Sequence, residues 1–591
     1  MPTYKAPLRD YHFCLYELFD LDGHVKLPGF SDFTEDVVTP VLEQAGKFAR
    51  EMIFPLNRPG DEEGCKLENG VVTTPAGFGQ AYRALCDGGW PSLTCDPAHG
   101  GQGMPHMVNF LFEEMMNAAN LSFGLYPGLT RGAYVTIAKH GTDEQKALYA
   151  PRLASGEWAG SMCLTEAHCG TDLGLLKTTA VPQADGSYAI TGTKIFISAG
   201  EHDLTPNIIY LVLARLPAAP TGSKGISLFV VPKVFSDAAG NLGARNKVSC
   251  GALEKKMGIH GCSTCVMNFD GATGWLVGEP HQGLKAMFSM MNTERIAVGI
   301  QGLAIAEASY QNAVVYARER LQGRAPKGPR EPAKSADPII VHPDVRRMLL
   351  TQRALVEGCR ALALWTAEAL DVSDRHPDAK VRQDADDFVA LMTPVVKAFL
   401  TDTGSEAANL GMQVFGGHGY IRANGQEQLV RDARIAQIYE GTNGVQALDL
   451  VGRKLFAHNG RLLNSFAQPV TAFIAKNKSN DAMREFVGPL AQAFDRLKTA
   501  TAAIAKHAAK NPEEIGAAAS DFLRLFALTA LGFLWARMAE ISLPKSNEEF
   551  YRAKLATARF YMQRLLPQTT ALHAAIMAGA APIMELDEAS F

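Results

Sequence analysis

The chain has 591 residues, of which 47% are hydrophobic, 20% charged and 8% aromatic. These are globular values with room for several buried cores, and they exclude a largely disordered or fibrous protein. Lys and Arg total 57 against 61 Asp and Glu, a formal charge of −4, which excludes a globally basic nucleic-acid binder.

At roughly 100–200 residues per domain, the length implies about three to five domains. The first residues, MPTYKAPLRDYHFCLYELFD, lack a signal-peptide apolar core and the acid-poor bias of a transit peptide. The ten cysteines show no framework spacing, which fits a reducing compartment; the expectation is a cytoplasmic protein. From Thr34 the pattern is helical. Val37, Val38, Val41, Leu42, Ala45, Phe48, Met52 and Ile53 recur at the helical period, and Pro55 is expected to stop the helix. After the turn Asp96–Pro105, Val108, Leu111, Phe112, Met115 and Met116 mark a second helix.

From about Cys163 the grammar changes to strands, at Tyr188–Thr191, Ile195–Ser198, Ile208–Ala214, Ile226–Val231 and Val266–Phe269, separated by Gly-rich turns. Helical patterns return over Ile296–Leu321, Pro343–Ala369 and Asp387–Leu410, with Gln322–Asp337 a polar, Pro-rich loop. The region from Phe456 onward is again helical and Ala-rich, with a charge of about +3. Its most apolar run, Leu525–Ala536, lies between two arginines and falls short of the ~20 residues of a membrane span, so no stable membrane insertion is expected. Segregated helices, strands and helices give an α+β, mostly α, architecture.

Five segments carry chemistry. In RDARIAQIYEGTNGVQ, Arg431–Gln446, Gly441 permits a tight turn and Thr442 or Asn443 can cap the next helix. Glu440 is then either a solvated turn residue or, between Ile438 and Tyr439, a carboxylate in an apolar corner with the raised pKa of a general base. In CLTEAHCGTDLGLLKT, Cys163–Thr178, small residues can offer N–H groups to an anion or a polar ring edge. In TKIFISAG, Thr193–Gly200, the spacing of two puts Phe196 and Ser198 on one strand face, an aromatic ring beside a hydroxyl. QVFGGHGY, Gln413–Tyr420, is a Gly-rich loop after a helix and, with no preceding strand, is not a dinucleotide fingerprint. In MMNTERIAVGIQG, Met290–Gly302, Arg295 is expected to open a helix running toward YARERLQGR, Tyr316–Arg324. Its arginines suit phosphates or surface ion pairs. Cys262 and Cys265 form one CxxC with only His260 nearby, which is too little for zinc; no metal is expected.

Taken in order, these segments resemble the acyl-CoA dehydrogenase family over about Asp36–Leu455. The N-terminal YKAPLRDYHFCLYELFD and the added C-terminal helices are similar to its long bacterial members, among them those acting on 3-(methylthio)propanoyl-CoA. The resemblance implies an N-terminal extension to 35, a helical domain over 36–162, a middle β-barrel or sandwich domain over 163–280, a helical bundle over 281–460 and further helices over 461–591. It implies FAD as cofactor and α,β-dehydrogenation of an acyl-CoA to the trans-2-enoyl-CoA, with Glu440 as the base and its backbone N–H helping to stabilise the thioester oxygen. FAD contacts carry over to Cys163, Leu164, Thr165, Gly170, Thr171, Phe196, Ile197, Ser198, Arg320, Gln413, Gly416, Gly417 and Thr442. Substrate contacts carry over to Thr171, Asn292, Arg295, Tyr439 and Gly441. An electron-transfer flavoprotein would accept the electrons. The C-terminal helices would cover a face where a second dimer otherwise docks, which implies a homodimer.

The chain departs from the family pattern at several points. The family's Trp is Phe196, its Asp is Asn292, its Gln two residues after Thr442 is Gly444, and the Arg-led run at Arg320–Gly323 is shortened. Two other readings share the scaffold: an acyl-CoA oxidase using oxygen, and a DNA-binding alkylation-response flavoprotein. The modest charge of the C-terminal region weighs against the second.

Overall fold

The computed structural model describes residues Pro2–Phe591. It resolves into two compact units where the sequence suggested five regions. One comprises residues up to Glu43, Pro105–Glu114 and Val298–Phe591; the other comprises Gln44–Met104 and Met115–Ala297.

The second unit contains the sheet. Thr264–Val277 pairs antiparallel with Tyr188–Ser198 and with Ile226–Pro232, which pairs in turn with Ile208–Arg215. Thr179–Pro182 joins Tyr188–Ser198 to Ile208–Arg215, so the pairing closes into a ring. Its interior is filled by Ile190, Tyr210, Val212, Phe229, Val231, Met267 and Phe269. The expected strands are present, and the two read at Tyr188–Thr191 and Ile195–Ser198 are one strand. Gly192 stays extended there, and Lys194, in the gap between the two stretches, is wholly buried. The unit also holds a strand the sequence did not show, Ala159–Cys163, which runs parallel to Ile208–Arg215. Its small residues, AGSMC, lack the β-branched signature.

Helices build the first unit. Pro343–Arg375 begins with Pro at its first turn, where no N–H is needed. Ala379–Phe415 is capped by Asp378, whose carboxylate accepts from the Lys380 N–H at 2.7 Å. This helix meets the Val298–Glu319 part of Gly283–Glu319 at Gly302 and Gly404. A Cβ on Gly302 would lie 2.3 Å from the Leu400 carbonyl oxygen, and one on Gly404 would lie 2.6 Å from that of Gly302. Two glycines therefore let the backbones touch. Two sequence expectations fail in physical detail. Pro55 does not end its helix: it sits in a 3-10 turn, Phe54–Leu56, and helix resumes at Asn57–Glu63. Arg295 does not open a helix but lies inside Gly283–Glu319. The apolar run Leu525–Ala536 is the middle of a longer helix, Glu513–Ser542. By length and composition alone that helix could cross a membrane, but 78% of its most apolar window is buried inside the structure. Its Trp535 indole donates to the Ala354 carbonyl at 3.1 Å.

At the centre of this unit lies a buried charge cluster. The Arg360 guanidinium pairs with Asp10, Glu114 and Glu307. Lys554 pairs with Asp10 and, at 2.7 Å, with Glu357. Residues from the beginning, middle and end of the chain thus share one ion network.

Candidate functional site

In the second unit the loop after strand Ala159–Cys163 is held from below by two side chains. The Lys194 ammonium donates to the Leu164 carbonyl at 3.0 Å and to Glu166 at 2.9 Å. The Glu166 carboxylate also accepts from the Thr178 hydroxyl at 2.6 Å and from the Thr178 and Lys177 N–H groups. Burial pushes the Glu166 carboxyl up, but Lys194 and these hydrogen bonds outweigh it and hold it at about 2. The Thr165 carbonyl accepts from Ile195 N–H at 2.9 Å, and Ser161 Oγ donates to the Ser198 carbonyl at 2.9 Å. The loop residues Leu164 and Thr165 therefore lie beside Lys194 and Ile195, at the start of the stretch that carries Phe196–Ser198. Glu166, His168 and Cys169 place ligand atoms within 4.8 Å of one another, but the carboxylate is already committed to Lys194, Thr178 and Lys177.

The expected contacts divide by exposure. The Cys163 and Ile197 side chains belong to the barrel core, so only their backbones can face a cofactor. Gly170 and Thr171 are exposed. Phe196 has φ +59 and is 60% exposed. The strand gains a residue there: Cys265 pairs with Ile197 and Met267 with Lys194, a bulge. The extra residue falls between Lys194 and Ile197, both buried, so alternation breaks there and not between Phe196 and Ser198, while the bulge carries the Phe196 ring to the surface. Asn292 and Arg295 lie one helical turn apart, with Arg295 Nη1 donating to Asn292 Oδ1 at 3.3 Å.

In the first unit Glu440 occupies the corner between Ile435–Gln437 and the helix Asn443–Asp449. Its φ is +55, a conformation that costs a non-Gly residue roughly 1–2 kcal/mol. Neighbouring groups hold it. Gln446 Nε2 donates to the Glu440 carbonyl at 3.2 Å, and the Lys397 ammonium donates to the Gly441 carbonyl at 2.8 Å. The Thr442 hydroxyl caps the next helix by accepting from Val445 N–H at 3.2 Å. The Tyr439 hydroxyl donates to Gln301. Glu440 itself is half-buried and Ile438 is exposed, so within this unit the corner is more open than the apolar pocket the sequence suggested.

Arg320, Gln413, Gly416 and Gly417 gather at the far end of the Ala379–Phe415 helix. There Tyr316 stacks on Phe415 at 4.2 Å, and its hydroxyl lies 3.2 Å from His418 Nδ1. Gly416 has φ +58, and a Cβ on either glycine would enter open space. An exposed aromatic ring on a bulge and a side-chain-free glycine pair are features that suit a flat ring system and a phosphate-bearing tail, so the residues present fit FAD. The supporting residues Lys194, Glu166, Lys397, Gln446 and Gln301 escaped the sequence reading, and Asn443, a possible cap by sequence, instead binds the Ala379–Phe415 helix while Thr442 caps. The two lysines had one signal, since each stands alone among apolar neighbours.

Comparison with known proteins gives four family-model matches along the chain. Residues 37–157 match the N-terminal domain of acyl-CoA dehydrogenases, 161–272 the middle domain and 281–456 the C-terminal domain. Residues 466–587 match the model described as acetyl-CoA dehydrogenase C-terminal like. A 3-methylmercaptopropionyl-CoA dehydrogenase of Ruegeria pomeroyi is 44% identical over 97% of this chain and 98% of its own. A broad-specificity linear acyl-CoA dehydrogenase, FadE5, of Mycobacterium tuberculosis is 33% identical over the full length of both. A butyryl-CoA dehydrogenase of Syntrophomonas wolfei is 32% identical over 96% of this chain and 95% of its own. Among solved structures, ACDH-11 of Caenorhabditis elegans in complex with C11-CoA superposes with a TM-score of 0.76 at 20% identity, covering 95% of this chain and 91% of that one. A Bacillus anthracis acyl-CoA dehydrogenase complexed with FAD gives 0.74 at 20%, covering 93% and 89%.

Proposed function

The chain belongs to the acyl-CoA dehydrogenase family of FAD-dependent oxidoreductases, and from that premise we propose that Glu440 is its catalytic base and a short acyl-CoA its substrate. The observation that carries this is the clamped left-handed corner that presents Glu440. A residue paying for that conformation, and held there by hydrogen bonds to two successive carbonyls, is one whose direction matters. The Glu440 carboxylate takes the α-proton of the thioester and becomes the carboxylic acid. As that proton leaves, negative charge collects on the thioester oxygen, and the Glu440 backbone N–H is our assignment for a donor to it. The β-hydrogen departs with its electron pair, the Cα–Cβ double bond forms, and the product is the trans-2-enoyl-CoA. FAD, when bound, supplies the acceptor for that electron pair.

Leu164, Thr165, Phe196 and Ser198 are assigned to the flavin ring edge, and Thr442 to a further contact. Arg320, Gln413, Gly416 and Gly417 are assigned to the pyrophosphate and adenosine half. Thr171, Asn292, Arg295 and Gly441 are assigned to the CoA and thioester, and Tyr439 to the acyl pocket. Because Gln301 takes the Tyr439 hydroxyl, the tyrosine ring is fixed, which favours a bounded pocket over a deep one. The methylmercaptopropionyl-CoA enzyme among the relatives points the same way.

A panel from propanoyl-CoA to dodecanoyl-CoA, with 3-methylmercaptopropionyl-CoA included, tests this by dye reduction. The expected result is the highest kcat/KM at the short end and with the methylthio substrate, with neighbours falling off by about 10- to 200-fold per misfitted methylene. A maximum at dodecanoyl-CoA would overturn the substrate assignment. With an electron-transfer flavoprotein as acceptor the enzyme should turn over without releasing hydrogen peroxide; peroxide formation in air at the same rate would make it an oxidase.

We also assign a homodimer. The Glu513–Ser542 helix lies along Pro343–Arg375 through Trp535 and reaches Ala379–Phe415 through Arg524 and Glu406 at 3.4 Å, so that flank of the bundle is covered. Gln413 lies roughly 24 Å from Lys397 along one helix at 1.5 Å per residue, which suits a glycine loop serving the neighbouring chain. Light scattering should give the mass of two chains; the mass of four would refute it.

A further inference from the structure

Lys397 is wholly buried on the Ala379–Phe415 helix, inside the apolar run Val395–Leu400. Burying an ammonium costs several kcal/mol unless its protons are well placed. Here one donates to the Gly441 carbonyl at 2.8 Å and another to Asn443 Oδ1 at 2.9 Å. Asn443 is itself fixed: its Nδ2 donates to the Ala398 carbonyl at 3.1 Å, to Thr401 Oγ1 at 3.0 Å and to Asp402 Oδ1 at 2.7 Å. Asp402 in turn accepts from Gln437 Nε2 at 2.6 Å, on the stretch that leads into the corner from the other side. A rigid helix thus grips residues 437, 441 and 443, and Gln446 grips the carbonyl of 440. The Ala379–Phe415 helix holds the corner on both sides of Glu440.

From this arrangement we propose that Lys397 is a positioning residue for the dehydrogenation. It fixes the Gly441 carbonyl and Asn443, and through them the left-handed conformation of Glu440, so that the carboxylate is held at the substrate α-carbon. The inference rests on Glu440 being the base. A relaxed corner lets residue 440 return to ordinary backbone angles, which moves its side chain by more than the ~1 Å that costs about 100-fold in rate. Lys397 acts through the backbone and takes no part in the proton transfer.

The test uses the full-length FAD-loaded enzyme with butanoyl-CoA, comparing Lys397→Met, Lys397→Arg and Glu440→Gln. The expected result for Lys397→Met is a 10- to 100-fold fall in kcat and in the single-turnover rate of flavin bleaching. KM and the FAD content per chain should change little. A role confined to packing would instead lower FAD content and melting temperature together and leave the rate per bound flavin unchanged, and that result overturns the proposal. If Lys397→Met does not fold, Lys397→Arg decides. Its planar guanidinium keeps the charge but does not reproduce a compact point donor to two oxygens, so kcat should still fall, and a wild-type kcat refutes the inference. Glu440→Gln separates the two readings. If it bleaches normally, the base is misassigned. If it does not bleach while a folded Lys397 variant does at the wild-type rate, only the positioning role fails.

Discussion

Glu440→Gln is expected to abolish bleaching of the bound flavin by acyl-CoA while leaving FAD and acyl-CoA binding in place. The substitution keeps the length, the planar end and the backbone chemistry at 440, so the corner held by Gln446 and Lys397 has no reason to relax. It replaces the basic carboxylate by a neutral amide that cannot take up the proton. Loss of a general base typically costs about 10²–10⁴-fold, and the fall should appear in kcat and kcat/KM alike, the signature of an interaction made in the transition state. Stopped-flow absorbance of the flavin band, with ligand binding followed separately by titration with the enoyl-CoA product, measures both halves. Bleaching at a wild-type rate would place the base elsewhere.

Arg360→Met is expected to give the largest loss of stability. Arg360 meets Asp10, Glu114 and Glu307, all buried. The methionine roughly fills the stem of the side chain but leaves those carboxylates facing each other without their shared cation. Breaking a buried pair from one side costs about 3–5 kcal/mol, and thermal melting followed by circular dichroism should show it as a lower melting temperature at pH 7. The pH dependence has a definite sign. In the intact protein burial pushes the Asp10 carboxyl up, but Lys554 and Arg360 outweigh it and hold it at about 2. Its contribution is therefore present above the ordinary carboxylate range and lost only as the pH falls toward 2. Burial raises Glu114 even in Arg360's presence, and without that cation it rises further. A carboxyl raised in the folded state destabilises above its pKa and ceases to do so once protonated. The deficit of the variant should therefore shrink as the pH is lowered from 7 toward 5. A deficit that stays constant across that range would mean that lost packing, not uncompensated charge, is responsible.

The sequence was informative where a pattern is local. The change from helical to strand periodicity near Cys163 located the barrel to within a few residues, and the Tyr439–Thr442 segment announced a corner with a carboxylate on it. It misled where a local rule meets a distant partner. Lys194 falls in the gap between the two strand patterns, and its counter-ion, Glu166, lies 28 residues away. Ala159–Cys163 showed no strand signal because its pairing comes from Ile208–Arg215. A bulge against Thr264–Val277 adds a residue between Lys194 and Ile197, which puts both on the buried face at a spacing of three that no alternation rule predicts. Arg295 is no helix start: the residues before it, Gly283–Glu294, include Leu, Lys, Ala, Met and Glu, all good helix formers, and the helix already runs through them. Lys397 and Arg360 were visible as lone cations among apolar neighbours, but the oxygens they serve cannot be inferred from spacing.

The ion pair between Asp10 and Lys554 spans 544 positions, and that separation bears on how the chain is made. A ribosome makes Asp10 first and Lys554 only 544 residues later, at about 5–20 residues per second. The unit built from Gln44–Met104 and Met115–Ala297 has all its residues while nearly half the protein is still unmade. The unit that carries Glu440 does not, because its first 43 residues must wait for the final helices. For most of synthesis the N-terminal carboxylate and the aromatic residues around it have no partner, so the ion network around Asp10 and Arg360 is completed only when Lys554 has been made, well after the residues that hold Glu440.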